Sequence, residues 1–343
     1  MGVSALVYLG LRFWILGAVA MPKSAQYLGG QWTLAELEFT AGRAFSKYFQ
    51  LLLAPVNVTG NYDFNSIPLA HPGDWDAWLG ILLIAATIGL ALKIRRQQPA
   101  IAFGILFFYA TMLPMSNWIL PGGILVAERY LYVPSFGVAL LAGAAWAILP
   151  RVQVRALVAA GALAAAVLLC ISHNYVWRDD LTYFSNMVRI LPDNAIGRHG
   201  YGVALLKLGK IAKARSQFEA GLRISRSAQL LVGMAGVLIP AERSCVNAYP
   251  LLNEALAMNP RDYYARWTVA ECLENEGQAA KAEETYRRAV KEANFPDPRL
   301  LYDWGRSLEK TGRPAEALAA YQRGAAIDPN DAAIRQKLEQ IGF

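Results

Sequence analysis

Charge is distributed so unevenly along this sequence that a single soluble fold cannot contain it. Residues 1–172 carry 10 Lys/Arg and 6 Asp/Glu, whereas residues 173–343 carry 23 and 20. The second half has the charge density of an ordinary soluble domain, about a quarter of its residues. The first half falls far below that and is rich in Leu, Ile, Phe and Trp, a composition that excludes disorder. The formal net charge of +7 is also misleading. Its signs are interspersed and no basic block stands out, so no nucleic-acid partner is expected.

Crossing a bilayer takes about 20 apolar residues in a helix. Five stretches qualify: 3–21, 77–94, 100–120, 132–149 and 154–172. Basic residues in short loops mark the cytoplasmic side. The turns holding Lys93, Arg95 and Arg96, and then Arg151 and Arg155, are therefore expected inside. The loops at 22–76 and 114–131 then face outside, and so does everything after Ser172. Within the first of these loops, 34–55 reads as an interfacial helix, with Arg43 and Lys47 on one side and Phe45, Tyr48, Phe49 and Leu52 near the other. A sixth span is the alternative for that segment.

The charged half repeats itself every 34 residues. Ala214, Ala248 and Ala282 keep this spacing, with Ala317 one residue later; Phe218, Leu252, Tyr286 and Tyr321 follow in step. Gly209, Gly277 and Gly312 mark turns, and Pro260 and Pro329 close repeats. This is the tetratricopeptide pattern, in which an aromatic fills the space between two closely crossing helices. The units read as 195–228, 229–262, 263–297 and 298–331, after a half-repeat helix at 179–191 and before a capping helix at 331–340. Pro240 and Pro250 predict a distorted pair in the second unit. The fold class is therefore all-α: a polytopic membrane helix bundle over 1–172, then a repeat solenoid over 173–343.

Stacked helix pairs present a concave face lined by their first helices. In this register that face holds His199, Tyr264, Trp267, Glu271, Glu274, Arg299, Tyr302 and Arg306. Aromatic anchors beside both charge signs suit a protein or peptide ligand, and equally a solvated helix face over core aromatics. The three cysteines, Cys170, Cys245 and Cys272, have no CxxC spacing and an odd count, which argues against a disulfide framework or zinc site. Cys245 and Cys272 read as small helix-packing residues; pairing is the alternative if the repeats lie in an oxidising compartment. The three histidines are dispersed, so no cofactor is identified and a divalent metal is left open.

In the first half the loop before 132–149 places Glu128 and Arg129 at the outer membrane boundary, among Tyr130 and Tyr132. A fixed guanidinium there can grip phosphate through its fork, and the pair also reads as an interfacial salt bridge in an aromatic belt. The block AERYLYVPSFG, the upstream KYFQLLLAPVNVTGNYDFNSIP and the repeat array together resemble the transmembrane-and-TPR O-mannosyltransferase family, which belongs to the C-type, lipid-linked-sugar glycosyltransferases. The resemblance implies transfer of a sugar from a polyprenyl-phosphate donor to a protein hydroxyl. It also implies a donor pocket of Arg129 with Arg43 or Lys47 on the phosphate, and Glu128, Asp63, Tyr130 and Tyr132 around it. The family's acidic catalytic loop has no counterpart here, so catalytic residues are not assigned. The expectation is a C-terminal portion of such an enzyme; the alternative is a non-catalytic, membrane-anchored repeat scaffold. Alanine-dominated spans and abundant arginine point to a bacterial inner membrane with periplasmic repeats, or to an endoplasmic-reticulum membrane with lumenal repeats if the protein is eukaryotic.

Overall fold

Every regular element among the described residues is helical: fifteen α-helices and two short 3-10 turns, plus one isolated antiparallel bridge between Tyr62 and Val126. The computed structural model describes residues 33–62, 66–116, 118, 125–242 and 244–342. The expected span at 3–21 and the candidate Asp63 lie outside the described residues. The chain divides into two compact units, Met1–Asn194 and Ala195–Phe343.

In the first unit, α1 (Leu34–Leu53) starts at a capping box. Thr33 Oγ1 accepts from the Glu36 amide at 3.2 Å, and Glu36 Oε2 accepts from the Thr33 amide at 2.8 Å. Pro55 shortly follows its end, as expected where a helix must stop. Glu36, Glu38, Arg43 and Lys47 make α1 too charged for a simple span. Its inner face buries Ala41, Ala44, Phe45, Tyr48 and Leu51. Against it lies α2 (Trp75–Ile94). The two backbones touch at Gly42 and Gly80: a Cβ on Gly80 would stand 1.9 Å from the Gly42 carbonyl oxygen. Small residues permit this approach, as they do between helices in membranes.

Helices α3 (Pro99–Met112) and α4 (Ser135–Ala147) cross in the same way at Gly104 and Gly137. These two are shorter than the spans expected at 100–120 and 132–149. At 14 and 13 residues they rise about 20 Å, less than the ~30 Å hydrocarbon core. Proline is the reason. Pro114 lacks the amide that would continue α3, which tightens into the 3-10 turn Leu113–Met115; Pro134 and Pro150 bracket α4. Helix α5 (Val152–Val176) opens with Arg155 donating to the Leu149 and Ala147 carbonyls at 2.7 and 2.8 Å, so this arginine of its first turn caps the end of α4. No residue of α5 is buried. Helices α2 and α5 are the two described helices long and apolar enough to cross a membrane.

Helix α6 (Asp180–Ile190) forms where a half-repeat helix is expected, at 179–191, and clusters with the first unit, whose boundary falls after Asn194. Its Tyr183, stacked near Trp177, sits on Gly60. Gly60 has φ +78°, and a Cβ there would lie 2.6 Å from the Tyr183 hydroxyl, so only glycine fits. Asn194 Nδ2 donates to Ser66 Oγ at 2.9 Å.

The second unit is a stack of helix pairs: α7 (Ala195–Lys207) with α8 (Ile211–Ile224), α9 (Ala228–Glu242) with α10 (Ala248–Met258), α11 (Tyr263–Asn275) with α12 (Ala279–Glu292), and α13 (Pro298–Lys310) with α14 (Pro314–Ile327). The terminal α15 (Ala332–Ile341) covers Tyr321 and Ala317 with Ile334. The repeated alanines and large residues form the core: Ala214, Ala248, Ala282 and Ala317, with Phe218, Leu252, Tyr286 and Tyr321, are all buried. Gly209, Gly277 and Gly312 turn the chain between helices at φ +68°, +75° and +78°.

The second pair departs from this scheme less at its prolines than at its turn. Pro250 sits in the first turn of α10, where its missing amide would be unpaired anyway, and Pro240 in the last turn of α9. Both helices form. The position of the turn glycine is Arg243 in the sequence. Just after it, Cys245 is bonded to Cys272 of α11, with Cα atoms 5.7 Å apart. The expectation that these two are separate packing residues is therefore corrected: both are buried, and they face each other because the loop lies on the next first helix.

Candidate functional sites

In the first unit the short bridge from Tyr62 to Val126 clips the loop after α1 to the segment before α4. The Tyr62 amide donates to the Val126 carbonyl at 3.0 Å. This places the 3-10 turn Glu128–Leu131 against the Thr59–Gly60 turn. Glu128 Oε1 accepts from the Thr59 amide at 3.0 Å, and Arg129 Nη1 donates to the Gly60 carbonyl at 3.1 Å. Glu128 Oε2 is buried and takes no hydrogen bond among the described residues. Lys47 lies over the Tyr62 ring, 5.3 Å from its centroid, within the field of Glu128. Burial raises the Tyr62 phenol above its ordinary value, and the Glu128 carboxylate adds to the shift. Arg129 itself is exposed and stacks over Tyr130 at 5.2 Å.

The structure thus brings Glu128, Arg129, Tyr130 and Lys47 to one junction, with Tyr62 and Gly60, which the sequence reading did not single out, and Tyr48, which it placed only on the apolar side of α1. Arg43 is elsewhere. Its fork holds Asp76 at 2.8 and 3.1 Å, and it also reaches Asp74 at 2.8 Å and the Pro68 carbonyl at 2.7 Å. Those bonds tie α1 to the start of α2 and leave Arg43 no open fork for a phosphate. Tyr132 turns away too: it lines an open apolar hollow of about 500 Å³ with Phe107, Val133, Ser135, Phe136 and Ala139.

In the second unit, α11 and α13 join through side chains. Trp267 Nε1 donates to Asp303 Oδ2 at 3.1 Å. Glu274 accepts from the Tyr286 hydroxyl at 3.0 Å and pairs with Lys310 and with Arg306, the latter at 3.5 Å. Arg306 also lies over Tyr302 and 3.7 Å from Asp303. Tyr264 stacks on Trp267 at 6.1 Å between centroids and is exposed. Of the expected groove residues, Trp267, Glu271, Glu274, Tyr302 and Arg306 therefore converge, and Arg299 is close enough for its charge to act on Asp303. His199 belongs to a different place: it packs on Phe218, and burial lowers its pKa. Asp303 escaped the sequence reading because it sits 36 residues from Trp267, on the next first helix.

Burial pushes the Glu271 carboxyl up to about 7, reinforced by the negative charges of Asp303 and Glu274; Asp303 rises to about 6 for the same first reason. A carboxyl whose folded pKa exceeds its unfolded value binds its proton more tightly in the fold, so stability falls as pH rises between the two values. Glu271→Gln is accordingly expected to raise the melting temperature at pH 8, by about 1 kcal/mol or a few degrees, and to change nothing at pH 4. Melting curves of the two proteins at both pH values check this.

Among the described residues no group of three or more His, Cys, Asp or Glu side chains is arranged to hold a metal ion. Tetratricopeptide-repeat family models match residues 242–302 and 298–341. Over a longer stretch, mouse protein O-mannosyl-transferase TMTC3 is 25% identical across 240 residues, 64% of this chain and 26% of that protein. Mouse TMTC1 is 29% identical across 188 residues, 51% of this chain and 20% of that protein. The chain carries tetratricopeptide repeats and is similar in sequence to the TMTC protein O-mannosyl-transferases. A Caenorhabditis elegans protein O-mannosyl-transferase, F38B6.6, is 27% identical over 52% of this chain and 26% of its own length. The chain spans about a quarter or less of the TMTC relatives it matches. Among solved structures, TTC0263, a thermophilic TPR protein of Thermus thermophilus, overlaps 49% of this chain and 93% of its own at 18% identity and a TM-score of 0.42. YrrB, described as a TPR protein with an unusual peptide-binding site, overlaps 50% of this chain and 87% of its own at 22% identity and a TM-score of 0.33.

Proposed function

We propose that this chain is part of a membrane-embedded protein O-glycosyltransferase that moves a sugar from a polyprenyl-phosphate donor to a protein hydroxyl. Its repeats hold the acceptor or a partner protein. The observation that carries this reading is the Tyr62–Val126 clip, which sets Glu128, Arg129 and Lys47 at one junction of two loops. In such a transfer the bond from the sugar to the phosphate breaks, and negative charge gathers on the departing lipid phosphate. Cations fixed beside that oxygen stabilise the charge as it develops. Arg129, exposed and with one nitrogen held by Gly60, keeps donors for that task, and Lys47 supplies a second charge. Glu128 orients the turn. The apolar hollow beside Tyr132 suits the isoprenoid chain.

The same reading carries a polytopic topology. Helix α2 ends in Lys93, Arg95 and Arg96, and α5 begins beside Arg151 and Arg155, so both basic ends face the cytoplasm. Helix α5 then delivers the chain to the outer side, and a buried disulfide in the repeats suits an oxidising compartment. Helices α3 and α4 form a short hairpin packed through Gly104 and Gly137 within the bundle.

One observation favours a second reading, a membrane-anchored scaffold without catalysis. Glu128 and Arg129 each bond the backbone of the Thr59–Gly60 turn, which is what a purely structural clip would do. Binding decides between them. Purified protein in detergent is expected to bind a polyprenyl phosphate about tenfold or more weakly after Arg129→Ala, the loss of one charge-assisted contact. Arg43→Lys should leave that affinity as it was. Equal affinity of the wild type and Arg129→Ala would remove Arg129 from the donor site.

A further inference from the structure

The face shared by α11 and α13 contains one carboxylate that its neighbours do not match. Glu274 is paired with Lys310 and Arg306, and Asp303 accepts from the Trp267 indole and lies 3.7 Å from Arg306. Glu271 lies between them, half-buried, and makes no hydrogen bond or ion pair among the described residues. Next to it on the same helix, one turn back, Trp267 carries the exposed ring of Tyr264 stacked upon it. An aromatic face beside a lone carboxylate attracts an organic cation twice, through the ring quadrupole and through the ion pair.

We infer that this groove receives a lysine or arginine side chain of an extended protein segment, its alkyl stem along Tyr264 and Trp267 and its charge on Glu271. The inference rests on the reading of the repeats as a protein-binding surface and names the chemistry of what binds. An anionic group would be repelled by the carboxylates of Glu271, Glu274 and Asp303, and an apolar side chain would bury Glu271 without a partner, a costly outcome. The raised proton affinity of Glu271 fits a site awaiting its cation. The groups whose charges act on it are Glu274 on its own helix and Asp303 and Arg306 on α13, with Lys310 engaged by Glu274 and Arg299 acting on Asp303. A cation arriving there displaces the proton, so binding should tighten as pH rises from 6 to 8.

The test uses the full chain in detergent, labelled at the tryptophan indoles, and Gly/Ser nonapeptides with one central residue: lysine, arginine, norleucine or glutamate. The lysine and arginine peptides are expected to shift the Trp267 indole resonance saturably. Glu271→Gln should weaken them at least about tenfold. Glu316→Gln, at an exposed glutamate paired with Arg313, should not. The two variants keep the helix and its volume, so folding does not confound the comparison. Equal binding of the norleucine or glutamate peptide, or of Glu271→Gln and wild type, would overturn the cation site while leaving a peptide groove. No Trp267 shift with any peptide would overturn the protein-binding reading of this face as well.

Discussion

Replacing Cys245 by serine is expected to cost the repeat unit about 3–4 kcal/mol and to lower its melting temperature by roughly 10 °C. The bond closes a loop of 27 residues, and the stabilisation from restricting a loop of that size in the unfolded chain falls in this range. Local structure argues for a full effect. Arg243 stands in the sequence where the other repeats have glycine, and the covalent link just after it joins two buried cysteines. The link also holds Cys272, immediately after Glu271, on the helix that carries the proposed cation site. Cys272→Ser and the double variant should lose the same amount, because either change breaks the same bond. Calorimetry of all three, alongside alkylation without reductant, measures it. Rapid alkylation of both thiols in unreduced wild type, with melting unchanged in the variants, would show that the pair is not bonded.

Phe218→Ala is expected to cost about 3–5 kcal/mol, the usual penalty for emptying a rigid aromatic site. Phe218 is fully buried and lies between two glycines on adjacent first helices. A Cβ on Gly202 would stand 2.7 Å from its ring, and one on Gly233 2.4 Å. On these two sides the vacated space is walled by backbone, which cannot move inward without moving α7 and α9. Thermal unfolding should begin in this part of the repeats, with hydrogen exchange accelerated across 195–242. A loss below 1 kcal/mol would mean the helices collapse onto alanine, and the close approach at Gly202 and Gly233 would not be what fixes their spacing.

The repeat register was legible because its determinants are local and periodic. Phe218, Tyr286 and Tyr321 recur at one position, and each fills the space between its own helix pair. Contacts between repeats left no such trace. Trp267 meets Asp303, and Cys245 meets Cys272, at separations that belong to the stacking and not to the period. In the first half, hydropathy located apolar segments but not their lengths as helices: Pro114, Pro134 and Pro150 cut two of them short. Charge located Arg43, Glu128 and Arg129, yet could not tell a committed arginine from an available one. Arg43 is spent on Asp74 and Asp76, 31 and 33 residues away in sequence, through a fork geometry that only the α1–α2 crossing creates. Tyr183 and Trp177 read as the edge of the repeats, whereas they are seated on Gly60 of the loop after α1.

The junction of the Thr59–Gly60 turn with the Glu128–Leu131 turn is proposed as a lipid-phosphate site. A photoreactive polyprenyl phosphate, activated in membranes and followed by peptide mapping, tests it most directly. The adducts are expected on segments 55–62 and 125–139, to be competed by unlabelled polyprenyl phosphate and to be reduced by Arg129→Ala. Adducts confined to the exposed length of α5, insensitive to competitor and to Arg129→Ala, would contradict that assignment.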